Sequence, residues 1–146
     1  QLDALDDALA HRGPDGSGRF TDAVRRQDGA RVDVAFTHRR LAILDAPGGA
    51  QPMLDPPRPP PAPPAASSAA AARDPAQLAL VFNGCVYNHR DVRRELLGAG
   101  VRFTSDHSDT EAVLRAWRAW GPACLAKFDG MFALALWDGA RGRLSL

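Results

Sequence analysis

The sequence contains a single lysine, Lys127, a single tyrosine, Tyr87, only two cysteines and no long apolar run. Most of these scarcities close off a class of function. Cys85 and Cys124 are too few for a disulfide framework, so a reducing, cytoplasmic compartment is the default expectation. His11, His38, His89 and His107 are scattered without metal-ligand spacing, and no metal site is expected. No apolar segment approaches the roughly 20 residues of a membrane-spanning helix. Excess charge of one sign is also missing: 18 Lys plus Arg against 17 Asp plus Glu leave a net charge of +1. Such a chain carries no field that would gather polyanions, so neither nucleic acid nor a membrane surface is an expected partner.

What is present is enough for one packed domain, with 146 residues of which 45% are hydrophobic. The chain begins at Gln1 without a signal region and stops at Leu146 in what reads as a strand, and is expected to be an excerpt of a longer protein. Leu2, Leu5 and Leu9 recur at helical spacing until Gly13 and Pro14 end the pattern. The glycines of HRGPDGSG, His11 to Gly18, read as flexible backbone. Val32, Val34 and Phe36 alternate with less apolar residues as in a half-buried strand. Leu41, Ile43 and Leu44 continue the apolar material as far as Pro47.

From about residue 55 to 76 the composition changes, with seven prolines between Pro56 and Pro64 followed by alanine and serine. Two readings are open for this insertion, a solvated surface loop or a polyproline ligand for an SH3-like groove. Leu78 to Phe82 then reads as a strand ending at Asn83 and Gly84. A helix follows, with Asn88 as N-cap, Val92 and Leu96 on one face, and Gly98 and Gly100 at its end. Val101 to Thr104 has the character of a short strand. Ser108 and Glu111 match a capping box ahead of a helix with an apolar stripe of Val113, Leu114, Trp117 and Trp120. Met131 to Trp137 is continuously apolar, as expected of a strand covered on both faces, and Asp138, Gly139 and Gly142 suggest a hairpin into Leu144. Strands and helices mix without βαβ regularity, which favours a layered α+β sandwich.

Three places offer polar chemistry at the end of an apolar element. Among His38, Arg39 and Arg40, an arginine fork can grip a carboxylate bidentately, or the arginines can pair with surface acids. Asn83 and Gly84 either supply two donors to an oxyanion or form an Asn-Gly hairpin turn. Asp109 either accepts from a substrate ammonium or complements the dipole of its own helix. Together they would form a pocket for an α-amino acid, with Arg40 on the carboxylate, Asp109 on the ammonium, and Asn83 and Gly84 at a side-chain carbonyl. A nucleophile is lacking. Trp117, Trp120 and Cys124 read as core, and Tyr87 as a hydroxyl anchor at a strand-helix corner.

The segments HRGPDG (His11 to Gly16), HRRLAILD (His38 to Asp45), GGAQPM (Gly48 to Met53), LVFNGCVYNHRDVRREL (Leu80 to Leu96), SDTE (Ser108 to Glu111) and FDGMFALALWD (Phe128 to Asp138) occur in order. This set resembles the glutaminase domain of glutamine-hydrolysing asparagine synthetases, which are class II, N-terminal-nucleophile amidotransferases. The resemblance implies a four-layer αββα sandwich of two antiparallel sheets, incomplete here at both ends. It implies hydrolysis of glutamine to glutamate and ammonia, with ammonia passed to a C-terminal synthetase domain that uses ATP and magnesium to amidate aspartate. No cofactor is implied for the glutaminase domain itself. Expected partners are L-glutamine, the synthetase domain of the same chain and a second copy in a homodimer.

By the same resemblance Arg40 would hold the α-carboxylate, Ile43 and Leu44 would line the pocket, Asn83 and Gly84 would form the oxyanion hole, and Asp109 would receive the α-ammonium. The family's nucleophile is an N-terminal cysteine whose own amino group serves as base. That cysteine is not in this chain, which is therefore expected to be inactive alone. Cys85 stands where the family usually has the glutamate of NGEIYN. Either the neighbouring Asp109 suffices for the ammonium, or the module has lost activity and serves binding or assembly. A related amidotransferase with another acceptor is the third reading.

Overall fold

A computed structural model of the chain describes residues 2–25, 28–41, 49–56 and 76–146. The elements are α1 (Leu2–Leu9), a 3-10 turn (Ala10–Arg12), β1 (Gly16–Arg25), β2 (Arg31–Arg40), β3 (Met53–Asp55), β4 (Leu78–Val86), α2 (His89–Gly98), α3 (Asp109–Trp120), a 3-10 segment (Gly121–Lys127), β5 (Gly130–Asp138) and β6 (Arg143–Ser145). Among the described residues these make two antiparallel sheets, β1-β2 and β3-β4-β5-β6. Residues 57–75 of the Pro/Ala-rich insertion expected at about 55–76 lie outside the described residues, as do Ile43 and Leu44, while Asp55 at its expected start is a buried residue of β3.

Alternation along the strands sorts the side chains into layers. Phe20, Phe36, Val24 and Val34 turn to the second sheet and meet Ala79, Val81, Ala135 and Trp137. Trp137 is 2% exposed, and its indole Nε1 donates to Asp22 Oδ2 at 2.7 Å across the two sheets. The opposite face of the second sheet presents Leu78, Leu80, Phe82, Val86 and Leu136 to Val92 and Leu96 of α2 and to Val113, Leu114 and Trp117 of α3. Full burial of a leucine such as Leu80 or Leu136 stabilises by about 2 kcal/mol. With α1 on the outer face of β1-β2, the order of layers is helix, sheet, sheet, helix, as the motifs led us to expect.

Several local expectations change. The α1 helix docks by Asp6 rather than by its leucines: Leu5 and Leu9 are 55% and 41% exposed. The Asp6 carboxylate accepts from Thr37 Oγ1 at 2.9 Å, from Arg39 Nε and Nη2 at 2.9 Å, and from Arg19 Nη2 at 3.2 Å. The flexible reading of HRGPDGSG gives way at Gly16, where β1 begins and pairs in register with β2 from Gly16 opposite Arg40 to Arg25 opposite Arg31. Val101 to Thr104 is not a strand. Instead Arg93 stacks 3.9 Å over the Phe103 ring, and Glu111 accepts the N–H groups of Thr104 and Ser105. Asn88 does not cap α2 with its side chain; its amide bridges Lys127 O and Asp129 N. The β5 strand is covered on both faces only in its second half, since Met131 is 73% exposed. Tyr87 is 58% exposed and anchors nothing through its hydroxyl among the described residues.

Candidate active site at the open edge of the second sheet

The expected strand end at Phe82 is not an end. Backbone pairing with β5 continues through Asn83 opposite Ala133 and Gly84 opposite Phe132 to Val86 opposite Gly130. The hairpin reading of Asn83 and Gly84 is therefore excluded. Gly84 has φ +137, and a Cβ there would stand 2.1 Å from the Met131 carbonyl oxygen and 2.5 Å from Phe132 Cα. Only glycine fits so close to a neighbouring backbone.

On its other edge β4 loses its neighbour early, because β3 pairs only with Leu78, Ala79 and Leu80. Beyond that point two side chains serve the edge. Phe82 N–H donates to Gln51 Oε1 at 2.6 Å, and Val86 N–H donates to Asp109 Oδ2 at 3.3 Å. By strand alternation the Gly84 N–H lies on this same edge between them. Side chains alternate likewise: Asn83 and Cys85 share the face that, further along β4, meets the first sheet at Ala79 and Val81. Asn83 is exposed there, as an amide that meets a ligand must be.

Asp109 is the first residue of α3, behind Ser108, whose hydroxyl accepts from Glu111 N–H at 3.2 Å. Half of the expected capping box thus forms; the Glu111 carboxylate turns instead to Thr104 and Ser105. Asp109 is 7% exposed, and its other oxygen accepts from Thr110 N–H at 2.8 Å. A carboxylate at a helix N-terminus is favoured by the dipole, so the structural role holds, and the same oxygens sit beside the Asn83–Cys85 segment. Burial first, then the negative charge and hydrogen bond of Asp109, push the Cys85 thiol above its ordinary pKa. A thiol held protonated is a poor nucleophile. Cys124 is fully buried, and burial pushes its thiol up to about 11.

The arginine pair divides between the two faces of β2. Arg39 turns outward to Asp6. Arg40 occupies an alternate position with His38 on the inward-facing side, where burial and the neighbouring Arg40 charge lower the His38 pKa. The end of β2 is fixed by the HRGPDG turn: Asp15 N–H donates to Arg40 O at 3.0 Å, and a Cβ on Gly13 would lie 2.4 Å from the Arg39–Arg40 peptide. Gly18, opposite His38 in the ladder, touches the Gln51 backbone, which links this end of the first sheet to the open edge of β4. Asn83, Gly84, Cys85 and Asp109 thus gather at one rim with Gln51, and Arg40 lies at the end of β2 on its inward-facing side. Gln51 had no role in the motif reading; its signal was a polar residue between Gly49 and Pro52, immediately before a strand.

A cavity of about 380 Å³ lies elsewhere, at the Leu78 end of β4, against Trp117, Trp120, Arg118, Arg141 and Asp138. Among the described residues no group of three or more His, Cys, Asp or Glu could hold a metal ion, and no helix is long and apolar enough to cross a membrane.

Comparison with known proteins gives a consistent result. A family model described as a glutamine amidotransferase domain matches residues 1–58 and 67–146. Asparagine synthetase (glutamine-hydrolyzing) 3 of Bacillus subtilis is 32% identical over 98% of this chain, and a probable asparagine synthetase (glutamine-hydrolyzing) of Schizosaccharomyces pombe is 36% identical over 92%. The chain spans 19% of the length of each of these relatives. Among solved structures, the glutamine phosphoribosylpyrophosphate amidotransferase of B. subtilis superposes with a TM-score of 0.60 at 19% identity, covering 91% of this chain and 31% of that one, which shows the shared fold.

Proposed function

The chain belongs to the glutamine amidotransferase domain family, and from that premise we propose that it is the glutamine-hydrolysing domain of an asparagine synthetase. The observation that carries the site assignment is the unbroken run of β4 through Asn83 and Gly84 beside an edge that β3 has left open. A glycine N–H on such an edge, next to an exposed amide side chain, is a pre-set pair of donors for an oxyanion.

In this reading Arg40 binds the α-carboxylate of glutamine as a charge-assisted pair, and Asp109 accepts from the α-ammonium. The N-terminal cysteine thiolate that the family resemblance implies for the whole protein attacks the side-chain carbonyl carbon. The carbonyl oxygen takes up the negative charge between the Asn83 amide and the Gly84 N–H. Collapse expels ammonia, with the proton returned by the nucleophile's own amino group, and water then releases glutamate from the thioester. Burial and the Asp109 charge raise the Cys85 thiol, and burial raises the Cys124 thiol, which argues against either as the attacking nucleophile. Ammonia passes to a further domain that amidates aspartate, and ATP and magnesium serve that domain. Two free cysteines support a cytoplasmic setting.

Steady-state glutamate release by the whole protein tests this. Asp109→Asn weakens the ammonium contact and raises KM for glutamine by about 10–100-fold, the worth of one hydrogen bond to a charged group. An unchanged KM removes Asp109 from the substrate site.

A further inference from the structure

An edge strand that outruns its neighbour leaves N–H groups without a ladder partner, and such groups need another acceptor or water. The β4 strand outruns β3 after Leu80, just before the residues assigned to the oxyanion. Gln51, two residues ahead of β3, turns its side chain along that edge and takes the Phe82 N–H on Oε1 at 2.6 Å. Because the partner is a donor, the amide orientation is determined: the oxygen faces the strand and Nε2 faces away. The Gln51 backbone is held in turn by contact with β1, where a Cβ on Gly18 would stand 1.9 Å from Gln51 O and 2.9 Å from its carbonyl carbon.

Phe82 is gripped on other sides as well. Its ring stacks on Phe132 with centroids 6.0 Å apart, and β5 pairs with it across the sheet. The edge at Gln51 is thus the remaining direction in which Phe82, the residue before Asn83, could shift.

We propose that Gln51 is a positioning residue for the oxyanion donors: its side-chain oxygen replaces the missing β3 partner and holds Phe82, so that the Asn83 amide and the Gly84 N–H keep their aim. This rests on the glutaminase reading. Gln51 acts through the backbone of the next two residues, whereas the α-amino and α-carboxylate groups are held by Asp109 and Arg40. Its loss therefore lowers turnover and leaves substrate affinity in place.

The test is glutamate release by the whole protein carrying Gln51→Met, which keeps the shape and loses the acceptor, and Gln51→Asn, which keeps the amide but is one methylene too short. Both are expected to lower kcat by about 10–100-fold, the cost of a misaimed catalytic group, with KM for glutamine within about threefold of wild type. The Phe82 amide should exchange with solvent faster in both variants, while the thermal transition of the protein stays close to wild type. A kcat within about twofold of wild type in both variants overturns the inference, as does a rise in KM with kcat unchanged. If Gln51→Met fails to fold, Gln51→Asn decides by the same two readouts. If the wild-type protein itself releases no glutamate, it is the glutaminase reading that fails, a result distinct from an active wild type with normal variants.

Discussion

Glu111→Gln tests how the N-terminus of α3, and with it Asp109, is held in place. Glu111 is buried, its side chain only 3% exposed, and its carboxylate receives hydrogen bonds from the N–H and hydroxyl of Thr104 at 2.7 and 2.9 Å, from those of Ser105 at 2.8 and 2.7 Å, and from Arg115 Nε and Nη2 at 3.4 and 3.3 Å. The Arg115 contact is also an ion pair. Burial alone would raise the carboxyl pKa, but these hydrogen bonds outweigh it and bring it from 4.5 down to about 2. At roughly 1.4 kcal/mol per pKa unit, the difference amounts to about 3 kcal/mol of stability carried by the charged form. Because the folded pKa is the lower one, that stability is complete above the unfolded value of 4.5 and is lost as pH falls through about 2. Glutamine keeps the shape, removes the charge and turns an NH₂ group toward donors. In urea unfolding of the chain, Glu111→Gln should cost about 2–3 kcal/mol at pH 7, and the gap to wild type should shrink steadily between about pH 5 and pH 2. A gap below about 1 kcal/mol at pH 7, or one that stays constant down to pH 2.5, would refute the assignment of the stability to the ionised carboxylate.

Two other outcomes follow from the site geometry. Gly84→Ala drives a methyl group into the Met131 carbonyl and keeps an unfavourable φ, so it should destabilise the chain by about 2–4 kcal/mol in thermal unfolding and abolish glutamate release by the whole protein. In alkylation at neutral pH, followed by mass spectrometry, Cys85 should react slowly, Cys124 only on unfolding, and Asp109→Asn should speed the labelling of Cys85 by removing the charge that raises its pKa. Rapid Cys85 labelling in the wild type would contradict the thiol state described above.

A layered α+β chain was legible in the sequence because apolar alternation and helical periodicity survive in most elements, whereas the order of the layers came from the family resemblance. The α3 helix announced itself by Ser108 and an apolar stripe, and β2 by Val32, Val34 and Phe36. The failures have physical causes. The β1 strand opens with Gly16, Ser17 and Gly18, which read as loop; here glycine is needed because Gln51 comes too close for a Cβ. The leucines of α1 suggested a buried face, yet a single carboxylate, Asp6, docks the helix through Thr37 and Arg39, a partnership no periodicity displays. Asn83 and Gly84 look like a turn locally, and only cross-strand pairing with Ala133 and Phe132 keeps them in a strand. Arg40, Asn83, Gly84 and Asp109 stood out in the sequence as residue types at expected element ends. Gln51 did not, because its partner is a backbone N–H that becomes orphaned only once β3 stops short.

In the proposed reaction Asn83 and Gly84 stabilise the oxyanion formed from glutamine. Single-turnover and steady-state glutamate release by the whole protein carrying Asn83→Ala address it directly. The expected result is a fall in kcat of about 100–1,000-fold with the glutamine KM little changed, the signature of a donor used only in the transition state. Wild-type turnover in Asn83→Ala, or a loss confined to KM, would contradict it.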